Sequence, residues 1–189
     1  MANSYHQFLL HPETRRLLAV QTPEGLFEPA FLPEGVSPAS QVLQKAVREI
    51  FHDFIAEGWL IVIFDNFLAG GSDYPDLFAK IKRIIQRCAE RNIKLKFSKS
   101  FFGFTEVKFF GYRVADGKVS IDDKRKEQID KLPMPVTQKL MRSYLGMANF
   151  CSPFVPEYVE AFAPLYELTK TTFKWSPKTI TSEVVLAFE

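Results

Sequence analysis

An α+β fold is predicted by three features of this chain. Its apolar runs reach only strand length, two segments repeat apolar residues at helical spacing, and the last third is helical between prolines. The order is strands, helix, strand hairpin, helix, strands and a helical tail. That order predicts a sheet domain with helices on one face, followed by a small helical subdomain.

Residues 5–10 and the run RRLLAV read as short extended segments, and Pro23, Glu24 and Gly25 read as a hairpin tip. Ser37 before Pro38 reads as an N-cap with proline at the first helical position. Val42, Leu43, Ala46, Val47, Ile50, Phe51 and Phe54 then recur on one helical face, and Gly58 ends the helix. LIVIFDNFLAG reads as two strands joined at an Asp65-Asn66 tip. Ser72 or Asp73 is expected to cap a helix over residues 74–91, with Leu77, Phe78, Ile81, Ile84, Ile85 and Cys88 inward and Asn92 as its stop. IKLKF alternates like a strand, and VKFFGYRV with KVSI predicts a hairpin around Ala115, Asp116 and Gly117. Asp122 and Asp123 are expected to cap a helix to about residue 131, and Thr137 one to about residue 150 carrying Leu140, Met141, Tyr144, Leu145 and Ala148. A short amphipathic helix over 159–169 and an extended TFKWSP complete the chain.

The 189 residues, 47% hydrophobic and 24% charged, have an ordinary globular composition. The net charge of +2 says little about partners, but residues 80–108 hold nine basic residues against two acids. That run is either a solvated face or a polyanion-facing one. Two cysteines, Cys88 and Cys151, fit a reduced pair better than a disulfide framework. No apolar run reaches membrane-spanning length, so a soluble intracellular protein is expected.

Two-metal nucleotidyl transfer needs acids on rigid strands, because two ions about 3.5–4 Å apart must be clamped together. A hairpin with Asp65 at its tip suits that chemistry. Six motifs in order then carry a specific resemblance: YHQFLLHPE, TPEGLFE, LPEGVSPASQVLQ, IFDN, IKLKFSKSFFGFTEVKFFGY and TQKLMRSYLGMANFCSPFVPEYVEAFAPLYELT. Together they resemble the reverse transcriptase (palm and thumb) of gypsy-class LTR retrotransposons, in a truncated and degenerate form.

The resemblance implies a palm-like antiparallel sheet and a helical thumb. It divides the chain into partial fingers and palm at 1–118, a thumb-like subdomain at 119–172, and at 173–189 a tether that would lead to ribonuclease H, with no nuclease itself expected. It also implies site residues. Tyr5 of Tyr5-His6-Gln7 would exclude a ribose 2′-hydroxyl, or is a packed tyrosine. The family's first catalytic aspartate would fall just before Met1, outside this chain. Glu34, beside Gly35, replaces the residue that packs on the incoming nucleotide. Like charges at about 4 Å and a surface-like dielectric cost about 4 kcal/mol. Gln44 matches the helix glutamine, or is an exposed helix residue. Asp65 aligns with the metal-binding aspartate, or is a turn-forming acid, and Asn66 stands where a second aspartate is usual.

Lys99 matches a lysine near the triphosphate, or is a solvated lysine. Phe110, Gly111 and Tyr112 resemble the primer grip, or are hairpin core. In the thumb, Gln138, Arg142 and Tyr144 would track the minor groove of a primer–template duplex. Mg²⁺ is the family's cofactor, but it prefers carboxylate oxygens and loses water reluctantly. Productive binding at Asp65 is therefore not expected, nor is polymerisation. Two alternatives stay open: a fragment of an active polymerase whose fingers lie upstream, and a structural subunit binding a protein or a large RNA–protein assembly. Apolar surface near Phe8, Leu17 and Phe31 is expected to lie uncovered, favouring association.

Overall fold

The computed structural model describes residues 1–170, 173–175 and 180–188, and it is α+β. The chain packs as two compact units, Met1–Phe104 and Thr105–Glu189. The strands among the described residues form three small antiparallel sheets. Among the described residues no helix is long and apolar enough to cross a membrane.

In the first unit the core lies between helices α2 (Ala39–Ile50), α3 (His52–Ala56) and α4 (Tyr74–Glu90) and the hairpin β3 (Leu60–Ile63) and β4 (Asn66–Ala69). Leu43, Val47, Phe51, Phe54, Leu60, Val62, Ile84 and Cys88 are buried together. On β3, Leu60 and Val62 point in and Ile61 points out, the alternation of a strand covered on one face. Arg87 joins the helices: it donates to the Ile50 carbonyl at the end of α2 (2.6 Å) and to both Asp53 oxygens (3.0 and 2.8 Å), with its guanidinium 4.6 Å from the Phe54 ring centre. Asp73 caps α4, its carboxylate accepting from Asp76 N at 2.8 Å. Asn92 then ends the helical run in the left-handed region, at φ 54°.

Several expectations are corrected in this unit. The expected extended run over residues 5–10 holds only in its second half: Tyr5–Gln7 is a 3-10 turn, whereas Phe8 is extended, Leu9 bridges to Phe31, and Leu10 N donates to the Ala30 carbonyl at 3.0 Å. The first half of RRLLAV is helical, because α1 (Pro12–Leu17) has Pro12 at its start, Glu13 in its first turn, and Arg15 and Arg16 in its last, and only Val20 enters a strand. The Pro23-Glu24-Gly25 tip does join two strands, β1 (Val20–Thr22) and β2 (Gly25–Phe27). Ser37 is not the cap of α2: the helix starts at Ala39 after Pro38, with no side-chain cap. Val42, Phe78 and Ile85 keep helical spacing but are exposed, so among the described residues of this unit nothing covers that part of their helices.

IKLKF forms no strand. The Lys94 backbone is occupied by the N-terminal segment, its N–H by Gln7 Oε1 (2.7 Å) and its carbonyl by Ala2 N (2.9 Å), so no ladder forms. The predicted uncovered apolar surface is present at Leu17 and Phe31, joined by Leu9, Leu26 and Phe27, whereas Phe8 packs against the core.

The second unit pairs a three-stranded meander, β5 (Glu106–Phe109), β6 (Tyr112–Ala115) and β7 (Lys118–Ile121), with helices α5 (Asp123–Asp130), α6 (Gln138–Ala148), α7 (Tyr158–Glu167) and α8 (Ser182–Phe188). VKFFGYRV, read as one arm of a hairpin, is itself a hairpin, because Phe110 and Gly111 both take positive φ (51° and 83°) and turn the chain in two residues. The Asp116-Gly117 turn is as expected. Thr137 caps α6 through Leu140 N at 3.3 Å, and a 3-10 stretch, Asn149–Phe154, follows α6. Met141, Leu145, Ala148, Leu165 and Leu168 form the core. Of TFKWSP, residues 173–175 have no regular structure and the rest lies outside the described residues. Helix α8 was not anticipated from the sequence. Both cysteines are free thiols.

Candidate functional site

The hairpin carrying Asp65 turns one residue earlier than expected. Ile63 pairs with Asn66, so the two-residue tip is Phe64-Asp65 and Asn66 already belongs to β4. Phe64 takes φ 53°, an uncommon conformation for an aromatic residue, where glycine would be unstrained.

Gln44 accounts for how this tip is held. From α2 its Nε2 donates to the Val62 carbonyl at 3.1 Å, and its Oε1 accepts from Phe64 N at 2.5 Å. Both ends of the amide are thus engaged by the hairpin backbone. Asp65 is half-buried. Its carbonyl accepts from the Met1 ammonium at 2.7 Å, and its Oδ1 accepts from Asn66 Nδ2 at 3.3 Å. Among the described residues, no three His, Cys, Asp or Glu side chains gather into a group able to hold a metal ion.

Tyr5 meets the same side of α2. Its hydroxyl lies 3.0 Å from Ser40 Oγ, one helical turn before Gln44, and its ring packs against the core. Glu34 and Gly35 are exposed in the loop before α2, with Gly35 at φ 85°, and Lys99 is exposed at the end of a 3-10 turn. Among the described residues no hydrogen bond or ion pair joins Glu34 or Lys99 to the hairpin. An open groove of about 680 Å³ flanks the tip, lined by Gln44, Lys45, Arg48, His52 and Phe64.

In the second unit, Phe110, Gly111 and Tyr112 form the tip and first residue of the β5–β6 hairpin. Phe110 is exposed, while Tyr112 stacks on Phe150 with ring centres 4.3 Å apart and planes at 16°. A Cβ on Gly111 would stand 3.1 Å from the Phe150 ring, so this turn is closed down on that ring. Gln138 donates to the Thr169 and Lys170 carbonyls at 3.0 and 2.7 Å, and Arg142 donates to Thr169 at 2.8 Å. These two side chains hold the chain just after α7. Tyr144 is corrected outright: it is buried in the core and cannot lie along a groove.

The sequence reading missed Phe64 as the strained turn residue and Phe150 as the ring against which the β5–β6 tip closes. An aromatic in the left-handed region has no sequence signal, because glycine is the residue expected there. Phe150 falls in a segment read only as a helix end.

No family model matches the chain. The Retrovirus-related Pol polyprotein from transposon opus of Drosophila melanogaster is 25% identical over 170 residues, which is 90% of this chain and 17% of that polyprotein. The Gag-Pol polyprotein of Gibbon ape leukemia virus is 28% identical over 178 residues (88% and 11%), and the transposon Tf2-7 polyprotein of Schizosaccharomyces pombe is 24% identical over 179 (94% and 13%). The chain thus spans 11–17% of these relatives. The foamy viral protease-reverse transcriptase solved with an RNA/DNA hybrid superposes with a TM-score of 0.76, over 99% of this chain and 26% of that one, at 19% identity. The form solved with double-stranded DNA gives 0.79, over 99% and 33%, also at 19% identity. The chain has a reverse-transcriptase fold and is related in sequence to the Pol polyproteins of retrotransposons and retroviruses.

Proposed function

We propose that this chain is a reverse-transcriptase-like domain of gypsy-class origin that binds a primer–template duplex but does not extend it. The observation that carries the reading is the composition of the β3–β4 tip. Asp65 is followed by Asn66 at the first position of β4, so the hairpin offers a magnesium ion one carboxylate where the resembled family has two. The Asn66 amide moreover donates to that carboxylate at 3.3 Å. An amide oxygen is a neutral ligand, and Mg²⁺ requires anionic oxygens to offset the loss of its waters. The donor set does not fit a pair of such ions. Exposed Glu34, where a triphosphate would approach in the family, adds a like charge.

Duplex binding is supported by likeness to foamy viral enzymes solved with an RNA/DNA hybrid and with double-stranded DNA. The primer-grip candidate Phe110 is exposed at a tight tip that suits contact with a strand end, while Gly111 closes that tip on Phe150. Gln138 and Arg142 serve the fold through the carbonyls after α7, so contact by the thumb would fall to other residues of that unit.

Primer extension on an RNA template, with Mg²⁺ and separately with Mn²⁺, tests the catalytic half: no product is expected, and any templated product overturns it. Fluorescence anisotropy with a labelled RNA/DNA hybrid tests the binding half. Affinity should fall steeply with salt, because phosphate contacts release counterions. A flat salt response, or no binding at low salt, instead favours a structural subunit. The exposed Leu9, Leu17, Leu26, Phe27 and Phe31 would then be its docking face.

A further inference from the structure

We infer that the loop after α4 is a stacking platform for single-stranded nucleic acid, separate from the duplex site proposed above. Phe97, Phe101, Phe102 and Phe104 are 56%, 78%, 50% and 62% exposed, four rings within eight residues turned to solvent. A chain seldom turns so many aromatic rings of one loop to solvent without a use for them. The rings are arrayed rather than loose: Phe97 and Phe102 have centroids 6.4 Å apart, and Phe101 and Phe104 meet edge-on at 6.1 Å.

The backbone beneath them is tied down. Lys99 N donates to the Lys96 carbonyl at 3.0 Å, Ser100 N to the Phe97 carbonyl at 3.0 Å, and Ser100 Oγ to the Lys96 carbonyl at 3.1 Å. Gly103, at φ 69°, lies against the Tyr74 ring, which a Cβ there would approach to 3.2 Å. The Tyr74 hydroxyl donates to the Gly103 carbonyl at 3.4 Å.

Charge selects the occupant. Residues 91–105 contain Arg91, Lys94, Lys96 and Lys99 and no acid. Among the described residues none of these three lysine side chains has an ion-pair partner. An apolar protein face would cover the rings and strand the cations. An unpaired nucleic-acid strand satisfies both, since its phosphates meet ammonium groups and its bases meet ring faces. A duplex cannot do so along its length, because its base faces are already stacked.

The test is anisotropy of the whole chain with fluorescein-labelled dT20, an abasic 20-mer of the same backbone, and a blunt duplex as competitor. Tight binding of dT20 is expected, with at least about tenfold weaker binding of the abasic strand. Phe101→Ala with Phe104→Ala should cost about tenfold or more. Phe101→Leu with Phe104→Leu should cost nearly as much, since it keeps apolar area but removes the ring faces. Lys96→Gln with Lys99→Gln should flatten the log–log salt slope by about 1.4, at about 0.7 per phosphate contact. All four residues are exposed, so the variants should fold, and circular dichroism of each variant checks this.

The inference is overturned by no binding of dT20, by equal binding of the abasic strand, by leucine variants that bind like the parent, or by equal competition from the blunt duplex. It is equally overturned if the phenylalanine variants change only self-association in sedimentation, which would assign the loop to a protein partner. Retention of the RNA/DNA hybrid is read on its own probe, so failure here leaves the duplex reading standing.

Discussion

Replacing Gln44 by alanine should loosen the β3–β4 tip specifically. Gln44 makes two hydrogen bonds to the hairpin backbone, to the Val62 carbonyl at 3.1 Å and from Phe64 N at 2.5 Å. A hydrogen bond contributes about 0.5–1.5 kcal/mol net, and a partner left buried and unpaired costs more. Phe64 is exposed, so water can reach its freed N–H and the lower part of the range applies there. Val62 is buried, so its carbonyl is less readily resolvated. The sum is about 1–2 kcal/mol. With a urea slope of about 2 kcal/mol/M, the denaturation midpoint should fall by about 0.5–1 M.

Because the chain has two compact units, one global midpoint can blend two transitions, and a local readout is needed. Hydrogen exchange at the Phe64 amide supplies it, with acceleration of about tenfold expected. Gln44→Glu sharpens the test. The carboxylate still accepts from Phe64 N but opposes the Val62 carbonyl, so part of the loss should be recovered below about pH 4 as the acid gains a proton. An unchanged midpoint together with unchanged Phe64 exchange in Gln44→Ala would refute the clamp.

Other outcomes follow from the same geometry. Phe110→Asn should raise the thermal midpoint of the second unit by the equivalent of about 0.5–1 kcal/mol, because asparagine tolerates the left-handed backbone at φ 51°; a fall would mean that the edge contact with Phe109 outweighs that relief. The Arg87 hydrogen bonds hold the Asp53 carboxyl at about 2, below its ordinary 3.8. Stability from this pair is thus complete above about pH 4 and lost as the pH falls through about 2. Asp53→Asn should flatten the urea midpoint across that window by an amount worth no more than about 1 kcal/mol, since the pair is partly solvated; an unflattened profile would count against the pairing. Burial pushes the Cys88 thiol up to about 11, and the half-buried Cys151 is raised as well. A disulfide reagent at pH 8 should therefore label Cys151 first and reach Cys88 only on unfolding. Equal rates would contradict the packing.

Periodicity made the helices legible wherever one face had a partner. Leu43, Val47, Phe51 and Phe54 read inward and are buried. Phe78 and Ile85 fit the same period but are exposed, because spacing names a face without saying whether anything covers it. Strands were harder. IKLKF alternates as a strand should, yet pairing depends on a neighbour that the local sequence does not specify. The tip of the acidic hairpin was misplaced by one residue because Asp-Asn suits a turn better than Phe-Asp does, and the register of four pairs overrode that preference. At the site, Asp65 and Asn66 were legible as residues, whereas the uses of Gln44, Gln138 and Arg142 were not. Each binds backbone 18 to 32 positions away, which only the fold brings near.

The closure of Gly111 on Phe150 bears on how descendants of such a chain would age. A glycine at this turn is demanded by its backbone angle and by the neighbouring ring, whether or not a primer is ever held. A copy released from selection for copying nucleic acid would keep that glycine as long as it had to fold, while an aspartate in the acidic tip could drift to an amide. Persistence at position 111 is therefore a record of architecture, and a survey of drifting copies that took it as a sign of working enzymes would count fossils among the living.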